Sequence, residues 1–110
     1  MLKNNESIEF TDLKDMLKRT GDMHANRPAY MFRTDEKGVY RTISHKEFRY
    51  DVDCLGTALI KMGLKGKRIA VISENRYEWG MAYLAVVNGT GVVVPLDKAL
   101  PENELHSLII

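Results

Sequence analysis

From Trp79 to Leu96 the sequence carries no charged residue, and that stretch constrains the fold more than any other. It approaches the length of a membrane-crossing helix, roughly 20 apolar residues. However, Asn88, Gly89, Thr90, Gly91 and Pro95 interrupt it, and its two halves differ. Trp79, Met81, Ala82, Leu84, Ala85 and Val87 suit a helix to about Asn88, apolar nearly all round, whereas Val92-Val93-Val94 suits a strand. Upstream, Ile69-Ala70-Val71-Ile72-Ser73 is a second short apolar run, of the kind found in strands covered on both faces. A strand, a buried helix and a strand within about thirty residues predict a βαβ unit with parallel strands and a right-handed crossover. No membrane span is expected.

The residues before this unit specify three more elements. Thr11 is placed to cap a helix from Asp12 to about Thr20, with Leu13, Met16 and Leu17 on one face and Gly21 at its exit. Asn26-Arg27-Pro28 then breaks the chain. Ala29 to Arg33 and Tyr40 to Ile43, flanking the turn cluster Asp35-Glu36-Lys37-Gly38, predict a β-hairpin. Ser44 and Glu47 have capping-box spacing, in which each side chain satisfies a backbone N–H at a helix start. Phe48, Val52, Leu55, Leu59 and Met62 recur at intervals of four and three, which puts them on one face. Gly63 fits the helix exit and Leu64 the apolar contact beside it. After the βαβ unit, Pro101 opens a helix with Leu105, Leu108 and Ile109 on one side, and the pattern reaches Ile110 without a stop signal. The expected architecture is therefore α/β: a small β-hairpin plus a βαβ parallel sheet with flanking helices, part of a larger domain and truncated within a helix near residues 101–110.

Composition narrows the function classes. Sixteen basic residues against fifteen acidic give a net charge of +1, which offers nucleic acid or an anionic membrane no electrostatic attraction. Cys54 is the only cysteine, and Met1 to Phe10 lacks the apolar core of a signal peptide. A reduced, cytoplasmic location is expected.

Few residues suggest chemistry. His24, His45 and His106 are far apart in sequence and Cys54 has no nearby partner, so no metal site is expected and Cys54 is read as a structural thiol. Gly89 and Gly91 precede a strand, whereas a dinucleotide fingerprint follows one. Gly66-Lys67 is followed by Arg68 rather than by the Ser or Thr of a phosphate loop. Trp79 and the tyrosines read as packing residues. Ser73, Asn75 and Arg76 are the candidate ligand-proximal residues, because they fall at the carboxyl end of a parallel strand, where open α/β sheets bind ligands. Their other reading, capping of the next helix by Ser or Asn with Glu74 at its positive end, carries more weight.

Four segments, taken together, resemble the adenylate-forming superfamily of acyl-CoA ligases, peptide-synthetase adenylation domains and luciferases. Ile43-Ser44-His45-Lys46-Glu47-Phe48 resembles the Leu-Thr/Ser-Tyr-x-Glu-Leu motif, with His45 in place of Tyr. LAVVNGTGVVVPLD, Leu84 to Asp97, resembles LKAGxAYVPLD. RIAVISENRYEW and LPENEL are similar to segments of long-chain acyl-CoA ligases, and the likeness runs from about Phe10 to Ile110.

The resemblance implies the N-terminal part of an AMP-binding domain over residues 1–110. In the parent enzyme a carboxylic acid, ATP with Mg, and coenzyme A would give acyl-CoA, AMP and pyrophosphate. Other adenylate-forming enzymes (aryl-CoA ligases and peptide-synthetase adenylation domains) are the first alternative, and a short non-enzymatic interaction module the second. The family's phosphate loop, Mg-site Thr-Glu, ribose-binding Asp, hinge and catalytic Lys find no match in these residues. No catalytic residue is therefore carried over, no bound cofactor is expected for the chain alone, and self-association through exposed apolar surface is expected.

Overall fold

A computed structural model describes residues 7–35 and 37–110. Glu36 of the turn cluster, like residues 1–6, lies outside the described residues. The first helix, α1 (Leu13–Met23), is capped by Asp12, not by Thr11. The Asp12 carboxylate accepts from the Asp15 N–H at 2.7 Å, and Asp15 in turn accepts from the Thr11 N–H at 3.2 Å. A carboxylate is the stronger cap and also suits the positive end of the helix. Gly21 lies inside α1 rather than at its exit, and it is buried. A Cβ there would sit 2.8 Å from Cδ of Arg49, so glycine lets the next helix approach closely.

The hairpin forms as expected. Strands β1 (Pro28–Arg33) and β2 (Tyr40–Ser44) pair antiparallel, with Tyr30 opposite Ile43 and Phe32 opposite Arg41. Asp35 closes the turn by accepting from the Lys37 and Val39 N–H groups, and Gly38 takes φ +83°.

Helix α2 (His45–Lys61) starts with both halves of the capping box. The Ser44 N–H donates to Glu47 at 2.8 Å and the Glu47 N–H to Ser44 Oγ at 3.1 Å. At the other end the Leu64 N–H bonds the Leu59 carbonyl and the Gly63 N–H that of Ile60, with Gly63 at φ +83°, a Schellman ending. The predicted apolar face holds for Phe48 and Val52, which are buried, and for the half-buried Leu55 and Leu59. It fails at Met62, which is 70% exposed: the helix reaches past the layer that covers its middle.

Strand β3 (Arg68–Val71), helix α3 (Tyr77–Ala85) and strand β4 (Val92–Pro95) make the βαβ unit, with β3 and β4 parallel and Ile69 opposite Val93. Helix α3 stops short of Asn88 because the chain widens into a π turn, Val86–Thr90. Thr90, 2% exposed, donates through Oγ1 to the Ala85 carbonyl at 3.0 Å, and Gly89 takes φ +146°. A side chain at Gly91 would run into the Lys67 carbonyl, which is how β4 enters beside β3. Helix α4 (Glu102–Ile109) follows, with Pro101 as its N-cap.

Leu17, Ile43, Phe48, Val52 and Ala85 form the buried core, with Tyr30, Phe32 and Tyr77 packed against it. The Tyr30 ring meets Phe48 and Tyr77 edge-on at 5.0 and 5.1 Å, so the hairpin is riveted to both helices. The expectation of strands covered on both faces is not met by these residues. Ile69 and Val71 are half-buried, whereas Arg68, Ala70, Ile72 and Val92 are exposed. The Cα radius of gyration is 16.2 Å, against about 13 Å for a compact chain of this length.

Candidate functional site

The carboxyl end of β3 opens into a cleft of about 540 Å³. Leu55 and Leu59 of α2, Trp79 and Ala82 of α3, and the run Ile69 to Ser73 form its walls. Two of the three sequence candidates, Ser73 and Arg76, line it, while Asn75 is exposed and stands outside. The capping expectation for this segment is corrected. Arg76 occupies the N-cap of α3 and no side chain caps the helix. Ser73 Oγ instead donates to the neighbouring Glu74 carbonyl at 2.8 Å. The acidic residue of the first turn is Glu78, not Glu74.

Charged residues at and near the cleft pair with one another. Arg76 Nε lies 2.8 Å from Glu78 Oε2, and Lys98 Nζ lies 3.6 Å from Glu74 Oε1. The bond to Arg76 holds the Glu78 carboxyl below its usual range, and Glu78 raises Arg76 in turn. Two exposed cations are each matched by a carboxylate there. The cleft is an apolar trough with Ser73, Arg76 and Glu78 as its polar lining.

The remaining candidates fall elsewhere. His24 and His45, distant in sequence, come together at the junction of α1 and α2 with ring centroids 6.3 Å apart. The return of the chain through the Arg27 carbonyl, which accepts from the His45 N–H at 3.0 Å, brings them there. Burial, and secondarily the charge of His24, lowers the His45 pKa. Among the described residues, no group of three or more His, Cys, Asp or Glu side chains is arranged to hold a metal ion. Cys54 is exposed, not buried in the helix seam, because it stands two positions beyond buried Val52, on the outer side of α2. Tyr40 and Tyr50 are also exposed, at 57% and 69%, so they do not pack as expected.

Sequence reading missed the Tyr77–Asp51 pair, whose O···O distance is 2.6 Å. Burial and that bond raise the Tyr77 phenol above its ordinary value. No local spacing links residues on two different helices, so only the packed structure reveals the pair. No helix among the described residues is long and apolar enough to cross a membrane.

A family model described as AMP-binding enzyme matches residues 17–109. The chain belongs to the AMP-binding enzyme family. Fatty acyl-CoA synthetase A of Dictyostelium discoideum is 35% identical over 75 residues, covering 67% of this chain and 11% of that protein. Nonribosomal peptide synthetase sirP of Leptosphaeria maculans is 27% identical over 73 residues, 66% of this chain and 3% of that protein. The N-terminal subdomain of Klebsiella oxytoca NpsA superposes with a TM-score of 0.76 at 21% identity, over 88% of this chain and 24% of that one. A Rhodopseudomonas palustris protein described as a long-chain-fatty-acid CoA ligase gives 0.77 at 23% identity, over 94% and 25%. The structural matches show a shared α/β fold, and the chain spans a quarter or less of each of these relatives.

The matched region holds the motifs on well-defined elements. The Ile43–Phe48 segment is the β2–α2 junction with its capping box, and Leu84–Asp97 is the end of α3, the π turn and β4. Both do structural work in this family member: one starts a helix, the other turns a helix into a strand.

Proposed function

We propose that this family member supplies the N-terminal part of an ATP-dependent acyl-CoA ligase, joining a fatty-acid-type carboxylic acid to coenzyme A through an acyl-adenylate. The observation that carries the reading is the 35% identity to fatty acyl-CoA synthetase A. ATP, Mg and coenzyme A would be held by other parts of such an enzyme, because the family's phosphate-loop, Mg-site and catalytic-lysine motifs find no match in these residues. On this reading the 110 residues are a scaffold with no catalytic group, and by themselves they give no acid-dependent ATP–pyrophosphate exchange.

A second reading, a peptide-synthetase adenylation domain, is favoured by the 27% identity to sirP. Chimeras separate the two. The matched segment of fatty acyl-CoA synthetase A is replaced by the corresponding residues of this chain, and the same exchange is made in sirP. ATP–pyrophosphate exchange with each parent's own acid, retained in the first chimera and lost in the second, is the expected result. A folded but inactive first chimera beside an active second one would reverse the assignment.

A further inference from the structure

Asn88-Gly89 is the single Asn-Gly step in the sequence; Asn4, Asn5, Asn26, Asn75 and Asn103 are each followed by a larger residue. It falls in the π turn, which packs against α1 and α2. Among the described residues, Asn88 Oδ1 and Nδ2 are both buried and neither has a hydrogen-bond partner. A buried donor and acceptor left unmade are costly, so this turn opens more readily than the paired elements on either side. Gly89 is exposed, and as a glycine it presents only backbone to solvent. An asparagine followed by glycine reacts with its own backbone when the geometry allows. The Gly89 amide nitrogen attacks Asn88 Cγ: the N–Cγ bond forms, the Cγ–Nδ2 bond breaks, and ammonia leaves with the proton that the nitrogen gives up. Water then opens the five-membered imide. Cleavage of its N–Cγ bond yields aspartate, and cleavage at the main-chain carbonyl yields isoaspartate, whose chain runs on through Cγ. One water enters and one ammonia leaves. The folded backbone holds the reaction back. Ring closure needs the Gly89 nitrogen on the same side as Cβ, whereas Asn88 at φ −85°, ψ 15° turns it toward its own nitrogen.

We propose that Asn88 is a self-modification site gated by opening of the π turn, and that its conversion to isoaspartate is a one-way switch on the βαβ unit. The isoaspartyl link puts one extra backbone atom immediately before Gly89. Three hydrogen bonds beside it fix the entry of β4. Gly91 N–H donates to the Val86 carbonyl at 3.0 Å, Val92 N–H to the Lys67 carbonyl at 2.9 Å, and Gly66 N–H to the Thr90 carbonyl at 2.6 Å. Gly91 passes so close to Lys67 that no Cβ fits, so there is no slack to absorb the added atom. The modified turn therefore does not re-form these bonds, and the pairing of β4 with β3 loosens from its start. The capping box of α2 and the hairpin, which the turn does not hold, keep their structure.

The test is to age the folded chain at mildly alkaline pH and score each asparagine by peptide mapping with mass spectrometry. Asn88 should exchange amide for acid severalfold faster than Asn26, Asn75 and Asn103, which are all exposed, and isoaspartyl methyltransferase should label the product. Urea below the unfolding transition should speed the conversion of Asn88 severalfold and leave the other three unchanged. In the converted fraction, amide exchange should accelerate at residues 90–95 and stay as it was at residues 45–55. Asn88→Gln, whose longer side chain closes the ring far more slowly, should keep the native exchange pattern through the same ageing. Conversion at Asn88 no faster than at the exposed asparagines overturns the site. A rate indifferent to urea overturns the gate, and unaltered amide exchange in β4 after conversion overturns the switch.

Discussion

Both halves of this chain expose apolar residues, but only one of them also encloses a buried set. In the half built from α1, the hairpin and α2, Leu17, Ile43, Phe48 and Val52 are all at most 6% exposed, and Tyr30 and Tyr77 close over them. In the half built from β3, β4 and α4, Ile72, Val92, Leu108 and Ile109 are 45–66% exposed, although the sequence there is at least as apolar. Burial follows from having layers on both sides, not from side-chain hydrophobicity alone. The hairpin and helices enclose one another; the two parallel strands have α3 on one side and little on the other.

The sharpest way to break that comparison is a pair of truncations. Phe48→Ala empties a site ringed by Tyr30 and Tyr77 and should cost about 3–5 kcal/mol. That is a large share of the ~5–15 kcal/mol by which small domains are stable. Leu108→Ala removes a side chain already 58% exposed and should stay within about 0.5 kcal/mol. Urea denaturation followed by circular dichroism reads both. Equal costs would mean the two halves do not differ as the exposures indicate.

The same contrast explains what was legible in the sequence. Local devices were: the Ser44–Glu47 capping box, the Gly63 exit, the hairpin and the strand–helix–strand order each depend on residues a few positions apart. Properties set by the presence or absence of a distant layer were not. Met62 continues the helical period of Phe48 and Val52 but finds nothing above it, and β3 reads as a two-faced buried strand while one face stays bare. The His24–His45 approach and the Tyr77–Asp51 bond join elements through a chain reversal, which no periodicity encodes. At the candidate site the position of Ser73 and Arg76 beside the cleft was readable from strand order. The pairing of Arg76 with Glu78 was not, because a cap-like pattern and an ion pair two residues apart look alike in sequence.

A smaller effect tests whether the well-packed half depends on its helix start. Ser44→Ala deletes both the hydrogen bond from the Glu47 N–H and the anchor that aims Glu47 back at the Ser44 N–H. The expected loss is about 1 kcal/mol, seen as a lower denaturation midpoint at unchanged slope. Because α2 carries Phe48 and Val52 directly above this cap, the loss should be felt in global unfolding. If only local fraying appears, in amide exchange at residues 45–48, the cap and the core are less tightly coupled than the geometry implies.

The smallest effect concerns the edge of the same half, where His24 and His45 meet. Burial disfavours the charged imidazolium of His45, and the neighbouring His24 adds repulsion, so its folded pKa lies below the ordinary 6.5. The sign follows from linkage: the unfolded chain binds the proton more readily than the folded one. The neutral His45 thus contributes fully above pH 6.5, and that contribution is lost as the pH falls through the folded pKa, levelling off beneath it. His24→Asn removes the second charge and leaves the burial, so the His45 titration should move part of the way back toward 6.5, and the acid-side loss of stability should shrink with it. Imidazole proton shifts followed from pH 8 to pH 5 measure the first, and denaturation midpoints over the same range measure the second. A His45 midpoint at or above 6.5 in the unaltered chain would mean that the α1–α2 junction stays open to water, and that burial in this half stops at the Ile43–Phe48 layer.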